Sequence, residues 1–260
     1  MSTKYMAKQP NSDGFIHYTE EENETWKILF ERQMKIVEPR ACQAFLDGID
    51  ALNMPRDRVP QCADINNVLN KLTGWSVEPV AALISQTKFF TMLAEKKFPA
   101  ASFIRTREEL DYLQEPDIFH ELFGHCPLLT NQAYADFVEW YGKNALKADK
   151  PAQKLLARLF WFTIEFGLLK NKQGKFSVYG GGILSSKEET VYAVESDIPE
   201  RVPFDPLTCL RTPYRYDIIQ PLYFYLENLE DLYHLCEKDL VALADLAKVE
   251  GDTEPGFNVC

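Results

Sequence analysis

The sequence predicts one predominantly α domain, α+β by content, with many helices and a few short strands. Three observations predict it. Apolar residues recur at helical spacing through most of the chain, as with Trp26, Leu29, Phe30, Met34 and Val37. Strand-like runs are short and few, chiefly FPAASFIR and KFSVYGGGIL. No internal repeat, low-complexity tract or Pro/Gly/Ser-rich linker divides the 260 residues, and the fifteen prolines are dispersed.

The elements follow in order. Residues 1–14 are polar and read as a flexible N-terminus, 15–249 as the folded domain, and 250–260 as a tail. Thr19 can cap a first helix whose Glu20 to Glu22 suit its positive end. Pro39 is expected to restart a second helix through Leu46, ended by Gly48. Ile65, Val68, Leu69 and Leu72 mark a third, followed by a turn at Gly74. Ser85 opens SQTKFFTMLAEKK, with Phe89, Phe90 and Leu93 inward, and FPAASFIR is expected to be extended. Helices are expected over Asn131 to Leu146 and Ala152 to Leu169. KFSVYGGGIL reads as a strand entering a glycine turn. A last amphipathic helix is expected from Asn228 to Val249, with Leu229, Leu232, Tyr233, Cys236, Leu240 and Leu243 on its face.

Composition narrows the function classes. Apolar content of 46% and aromatic content of 13% fit a compact core. A net charge of −11 favours solubility and argues against nucleic acid or an anionic membrane as partner. MSTKYMAKQP has no apolar h-region, and the longest apolar run, LFWFTI at 159–164, is too short to span a bilayer. The six cysteines have no CxxC or zinc-knuckle spacing, so free thiols and a cytoplasmic location are expected.

The chemistry concentrates in PDIFHELFGHCPLL, residues 116–129, which holds His120 and His125, two of only four histidines. On one α-helix, residues five apart face about 140° from each other, so HELFGH is not the HExxH zinc-protease signature. For both imidazoles to reach one point, the helix is expected to end at Phe123. Gly124 would take a left-handed position and Pro127 would keep Cys126 out of the helix. FWFTIEFGLL holds one ionisable side chain, Glu165, which needs a partner if buried: Arg158 or a metal ion. Two histidines and a carboxylate match the facial triad of non-haem Fe(II) oxygenases, and a His₂Glu zinc hydrolase is the alternative. Phe119, Phe123, Phe160, Trp161, Phe162 and Phe166 would line the cleft, which favours iron chemistry on a flat aromatic ligand.

Here the chain resembles the tetrahydropterin-dependent aromatic amino acid hydroxylases. PDIFHELFGHCPLL is similar to that family's iron-binding signature, WFTIEFGL to its carboxylate segment and YGGGILSS to its glycine-serine turn. LTGWSVEPVAALIS and QPLYFYL match further segments, in order, between about residues 15 and 245. The resemblance implies a catalytic domain around a non-haem iron cleft. It also implies Fe(II), a tetrahydropterin such as tetrahydrobiopterin, and O₂ as co-substrate. His120, His125 and Glu165 would be the metal ligands. Glu121 would face the pterin, Phe89 would stack on it, and Ile84, Gln86 and Ala157 would lie beside it. Arg105 would grip the amino acid carboxylate, as a bidentate guanidinium does well. Pro116, Trp161, Phe166, Gly182, Ser185 and Glu189 would form the substrate pocket or support it. Glu121, Arg105 and Trp161 would be closest to the reaction.

The pattern breaks at Phe160, where the animal members carry a tyrosine, at Pro99 (histidine), Leu113 (threonine) and Gln86 (serine). Trp161 suits phenylalanine- or tyrosine-hydroxylating members, and the resemblance to short bacterial members favours L-phenylalanine. The animal regulatory domain and assembly helix have no counterpart here, so a monomer or small homo-oligomer is expected. Outside these motifs, His17 reads as a surface residue and His234 as a core or capping residue. Cys126 reads as a small buried hydrophobe and Gly180 to Gly182 as a tight turn.

Overall fold

The computed structural model describes residues 5–80, 84–111, 113 and 115–254. Residues 1–4 of the expected flexible start, 81–83 of LTGWSVEPVAALIS, and 255–260 of the tail, with Cys260, lie outside the described residues. The helices are α1 (Glu20–Val37), α2 (Gln43–Ala51), α3 (Cys62–Leu72), α4 (Gln86–Ala94), α5 (Gln132–Lys147) and α6 (Lys150–Phe160). They continue with α7 (Gly181–Leu184), α8 (Lys187–Glu195), α9 (Pro206–Arg211), α10 (Asp231–Leu235) and α11 (Leu240–Glu250). Short strands β1 (Ser76–Val80) and β2 (Lys97–Ala101) form a parallel pair. Strands β3 (Leu168–Lys170), β4 (Phe176–Val178), β5 (Glu200–Pro203) and β6 (Leu222–Leu226) form a sheet in the order β4-β3-β6-β5.

Local chemistry explains several boundaries. Thr19 caps α1 in a capping box with Glu22, and Ser85, Asn131 and Asp149 cap α4, α5 and α6. An aromatic cluster anchors the first two helices beneath residues 118–125. Phe119 stacks on Phe123 at 4.8 Å between centroids and meets Trp26 edge-on at 5.3 Å. Phe123 also meets Phe30 and Phe45 edge-on at 5.5 and 5.6 Å. Phe119 and Phe123 are therefore core residues, contrary to their expected place on the cleft wall. None of the described helices is long and apolar enough to cross a membrane.

The structure corrects six expectations. Residues 38–42 form a turn and a bridge from Ala41 to Val178, so the second helix starts at Gln43 instead of Pro39. Gly48 lies within α2 and does not end it. The helix expected to reach Leu169 ends at Phe160, passes through a π-helical turn over Trp161–Glu165, and gives way to β3. The last helix is two helices, because Asp239 caps a fresh start by accepting a hydrogen bond from Ala242 N–H. The glycines after β4 open the short helix α7, with Gly180 at its N-cap. Exposed His234 has no core role, whereas His17 is exposed as expected. The five described cysteines are free thiols.

Gly48 is needed for a close approach: a Cβ there would sit 2.1 Å from the Pro127 carbonyl oxygen. Gly48→Ala should therefore cost about 1–3 kcal/mol, although alanine normally stabilises a helix by about 1 kcal/mol over glycine. Thermal unfolding checks this: a lowered melting temperature is expected, and a raised one would show that the two backbones do not touch.

Candidate active site

HELFGH, residues 120–125, is wound as a π-helix, and the Cys126 N–H donates five residues back to the Glu121 carbonyl at 3.3 Å. The wider turn places residues five apart on one side. His120 Nε2 and His125 Nε2 are consequently 3.1 Å apart. The expected break at Phe123 is absent, and Gly124 is not left-handed. Gly124 serves a close approach instead, since its Cβ would lie 2.6 Å from the Gly181 carbonyl oxygen. The second π-helical turn, at Trp161–Glu165, closes with Phe166 N–H donating to Trp161 O at 2.8 Å and carries Glu165 toward the imidazoles.

Glu165 Oε1 lies 3.3 Å from His125 Nε2, and Glu165 Oε2 lies 3.6 Å from His120 Nε2. Arg158 is not its partner: it forms a double hydrogen bond with Asp252 at 2.7 and 3.0 Å. Donors held about 2.1 Å from one ion lie about 3.0 Å apart at right angles and about 3.4 Å apart at tetrahedral angles. The observed 3.1, 3.3 and 3.6 Å spacings fit that requirement. The set is nitrogen and oxygen only, because the Cys126 thiol donates to the Glu121 carbonyl at 3.4 Å.

Hydrogen bonding fixes one imidazole. The single hydroxyl hydrogen of Ser185 goes to Gly181 O at 2.9 Å, so Ser185 Oγ accepts from His120 Nδ1–H at 2.9 Å. That tautomer leaves the His120 Nε2 lone pair facing the cluster. Gly181 lies against the other ring, where a Cβ would fall 2.5 Å from His125 Nδ1. Burial lowers the His120 pKa to about 4, outweighing the attraction of Glu165. Burial alone would raise Glu165, but His125, His120 and the Gly182 N–H together hold its carboxyl below the usual range. Glu121 reaches within 4.8 Å of both histidines, and burial, then Glu165 and Asp117, push its carboxyl well up.

Arg105 is buried on Asp117, a fully buried carboxylate with no role in the sequence-based reading. Asp117 Oδ2 accepts from Arg105 Nε at 2.8 Å and Arg105 N–H at 2.9 Å, and Oδ1 accepts from Nη2 at 2.9 Å. Asp117 Oδ1 also accepts from the His120 N–H at 3.1 Å, tying the arginine to the start of the π-turn. The signal available in the sequence was a carboxylate inside an apolar run.

An aromatic wall runs beside the cluster. Half-buried Trp161 is sandwiched between Phe166 at 4.3 Å and Tyr214 at 4.4 Å. Its Nε1–H donates to Gln220 Oε1 at 3.0 Å. Phe89 meets Phe160 edge-on at 5.2 Å, which brings the mouth of α4 to the end of α6. Ile84 and Ala157 are half-buried near these two helices, and Gln86 is exposed at the first turn of α4. Phe162 points into the core against Phe224 and Tyr214, not into the cleft. Gly182 lies on the cluster, its Cβ position 2.9 Å from Glu165 Oε2 and 3.0 Å from Phe166.

Glu189 stands one layer back: it accepts hydrogen bonds from the Tyr223 hydroxyl and, at 3.0 Å, from Gln220 N–H. It therefore reaches Trp161 through Gln220. Tyr214 and Gln220 are the other site residues missed from sequence. Pro116 is exposed beside Asp117, Leu113 is half-buried, and Pro99 is buried in β2. Its neighbour Phe98 packs against the His125 ring at 4.9 Å.

A mainly helical domain with two histidines and a glutamate converging beside an aromatic wall defines a class, and the comparisons name it. Residues 2–244 match the model of the biopterin-dependent aromatic amino acid hydroxylases, and the chain belongs to that family. It is 55% identical to a phenylalanine-4-hydroxylase of Pseudomonas aeruginosa, over 98% of this chain and 97% of that protein. The apo structure of the phenylalanine hydroxylase from Colwellia psychrerythraea superposes with a TM-score of 0.94 at 50% identity, covering 96% and 97% of the two chains. The Chromobacterium violaceum phenylalanine hydroxylase with bound Fe(III) superposes at 0.90 and 39% identity, covering 97% and 91%.

The Asp117–Arg105 pair generates a stability prediction. Burial pushes the Asp117 carboxyl up, but Arg105 and the two backbone N–H groups outweigh it and lower its pKa below 3.8. A depressed carboxylate contributes stability that is complete above the unfolded pKa and lost as pH falls through the folded one. Asp117→Asn should cost about 3–5 kcal/mol at pH 7 and flatten the decline of stability below pH 4. Urea unfolding at pH 7 and pH 3 measures both; an unchanged acid slope would remove Asp117 from the account.

Proposed function

We propose that this protein is a phenylalanine 4-monooxygenase that converts L-phenylalanine and O₂ to L-tyrosine with a tetrahydropterin as reductant and Fe(II) as resident metal. The observation that carries this reading is the convergence of His120 Nε2, His125 Nε2 and Glu165 within 3.1–3.6 Å. The high identity to a full-length phenylalanine-4-hydroxylase supports the choice of substrate. The iron in the Chromobacterium violaceum enzyme supports the choice of metal.

In this mechanism His120, His125 and Glu165 would hold the metal. Bound Fe(II) would supply oxygen activation and the reduced pterin two electrons, with one oxygen atom going to the ring of the amino acid and the other to the pterin. The chain's own residues position the reactants. Arg105, preorganised on Asp117, has Nη1 left over from its bonds to that carboxylate and takes the substrate carboxylate with it. Trp161, held between Phe166 and Tyr214 and oriented by Gln220, gives the phenyl ring a fixed apolar wall. Phe89 would stack on the flat pterin, and Glu121, within 4.8 Å of both histidines, would face it. The aromatic walls exclude water from the reacting atoms.

Anaerobic reconstitution with Fe(II), followed by assays on phenylalanine, tyrosine and tryptophan with a reduced pterin, tests this. Tyrosine formation from phenylalanine is expected as the fastest reaction, and full turnover in metal-free protein would overturn the proposal. His120→Ala, His125→Ala and Glu165→Ala should each lose iron and product formation together. Ser185→Ala keeps all three donors but releases the His120 tautomer, and Fe(II) should bind about 10–100-fold more weakly. Equal Fe(II) affinity in that variant would show that Ser185 does not orient the ligand.

A further inference from the structure

Arg105 lies on a stretch with no sheet to hold it. After β2 ends at Ala101, residues 102–106 lie outside the named strands and helices, and a single 3₁₀ turn follows at Arg107–Glu109. From the inside this stretch is held by Asp117 and by Ile118 N–H, which donates to Phe103 O at 2.8 Å. From the outside it is held by residues 5–18, of which the sequence suggests that those up to 14 are flexible. Ser102 Oγ donates to Lys8 O at 2.9 Å, and the Tyr18 hydroxyl donates to Ser102 O at 3.0 Å. Tyr5 stacks on Phe103 with centroids 4.3 Å apart and planes 8° from parallel. The Tyr5 hydroxyl also donates to Glu109, the residue whose carboxylate caps Thr106 beside Arg105. Lys8 ties the segment back to α1 through Glu22 at 2.7 Å and closes it on itself through His17 O at 3.1 Å.

We propose that residues 5–18 form a strap that positions Arg105, with Tyr5 as the residue that sets its register against Phe103 and Glu109. The contacts bracket Arg105: Ser102 and Phe103 are fixed on one side of it and Glu109 on the other. These contacts converge on the stretch that carries Arg105, so the strap acts through the arginine. A guanidinium already fixed on one carboxylate can meet a second only where its backbone holds it, and loses that match when the backbone shifts. The strap therefore serves binding of the amino acid and is indifferent to the pterin. This inference rests on the reading of Arg105 as the group that takes the substrate carboxylate.

Steady-state kinetics on the Fe(II)-loaded full chain, with L-phenylalanine and the reduced pterin varied separately, tests it. Tyr5→Ala should raise KM for L-phenylalanine about tenfold, with kcat and the KM for pterin within about twofold of wild type. Ser102→Ala, which removes the bond to Lys8, should move KM in the same direction. Tyr5→Phe, which keeps the ring on Phe103, should fall between wild type and Tyr5→Ala. An unchanged KM for phenylalanine in both Tyr5→Ala and Ser102→Ala, or a parallel rise in the KM for pterin, would overturn the strap. Arg105→Lys separates the two layers: an unchanged KM there overturns the role of Arg105 itself, whereas a raised KM with Tyr5→Ala unaffected overturns the strap alone.

Discussion

A carboxylate and two imidazoles are packed against one another where water is scarce, and the rest of the fold is arranged around that contact. Glu165 and the histidine rings sit 3.1–3.6 Å apart. Such a cluster costs several kcal/mol unless a shared positive charge answers the carboxylate and accepts the lone pairs. A divalent cation does both, and the protein's own cations are directed elsewhere: Arg158 to Asp252 and Arg105 to Asp117. The backbone around the cluster is shaped to the same end. Gly180, Gly181 and Gly182 form a wall without side chains against Glu165 and His125, and Ser185 at the end of that wall sets the His120 tautomer. Three glycines in succession are thus a packing requirement of the donors. They are not a phosphate loop.

Much of this was legible in the sequence, and the limits were physical. Glu165 was visible because a lone ionisable residue in an apolar run demands a partner. The five-residue spacing of His120 and His125 correctly excluded an α-helical HExxH site. The device that unites them was misread, because a π-turn leaves no periodic signature of its own. Here it depends on Gly181 pressing against Gly124 and on Phe119 and Phe123 packing into the core, both set by distant segments. Asp117 was in plain view, yet its partner Arg105 lies outside any helix or strand, where no periodicity links the two. The bond from Trp161 to Gln220 spans 59 residues and has no local trace.

The fold shows the same division. Helices with a capping residue and an apolar stripe, α1 and α5 above all, were readable from their own residues. β2 and β4 were readable in FPAASFIR and KFSVYGGGIL, whereas β3, β5 and β6 were not, since β3 and β5 both pair with β6 from far along the chain. Asp239 was a readable N-cap in front of an apolar run, overlooked because the hydrophobic pattern carries on across the break. Tyr5 and Lys8 make specific contacts on the stretch that carries Arg105.

The central claim is that two imidazoles and one carboxylate from two π-turns hold a single metal ion. X-ray absorption on protein loaded anaerobically with one equivalent of Fe(II) tests it most directly. The account predicts a shell of nitrogen and oxygen at about 2.1 Å with the scattering of two imidazole rings and no sulfur. A sulfur neighbour at about 2.3 Å, or a shell with fewer than two imidazoles, would contradict it.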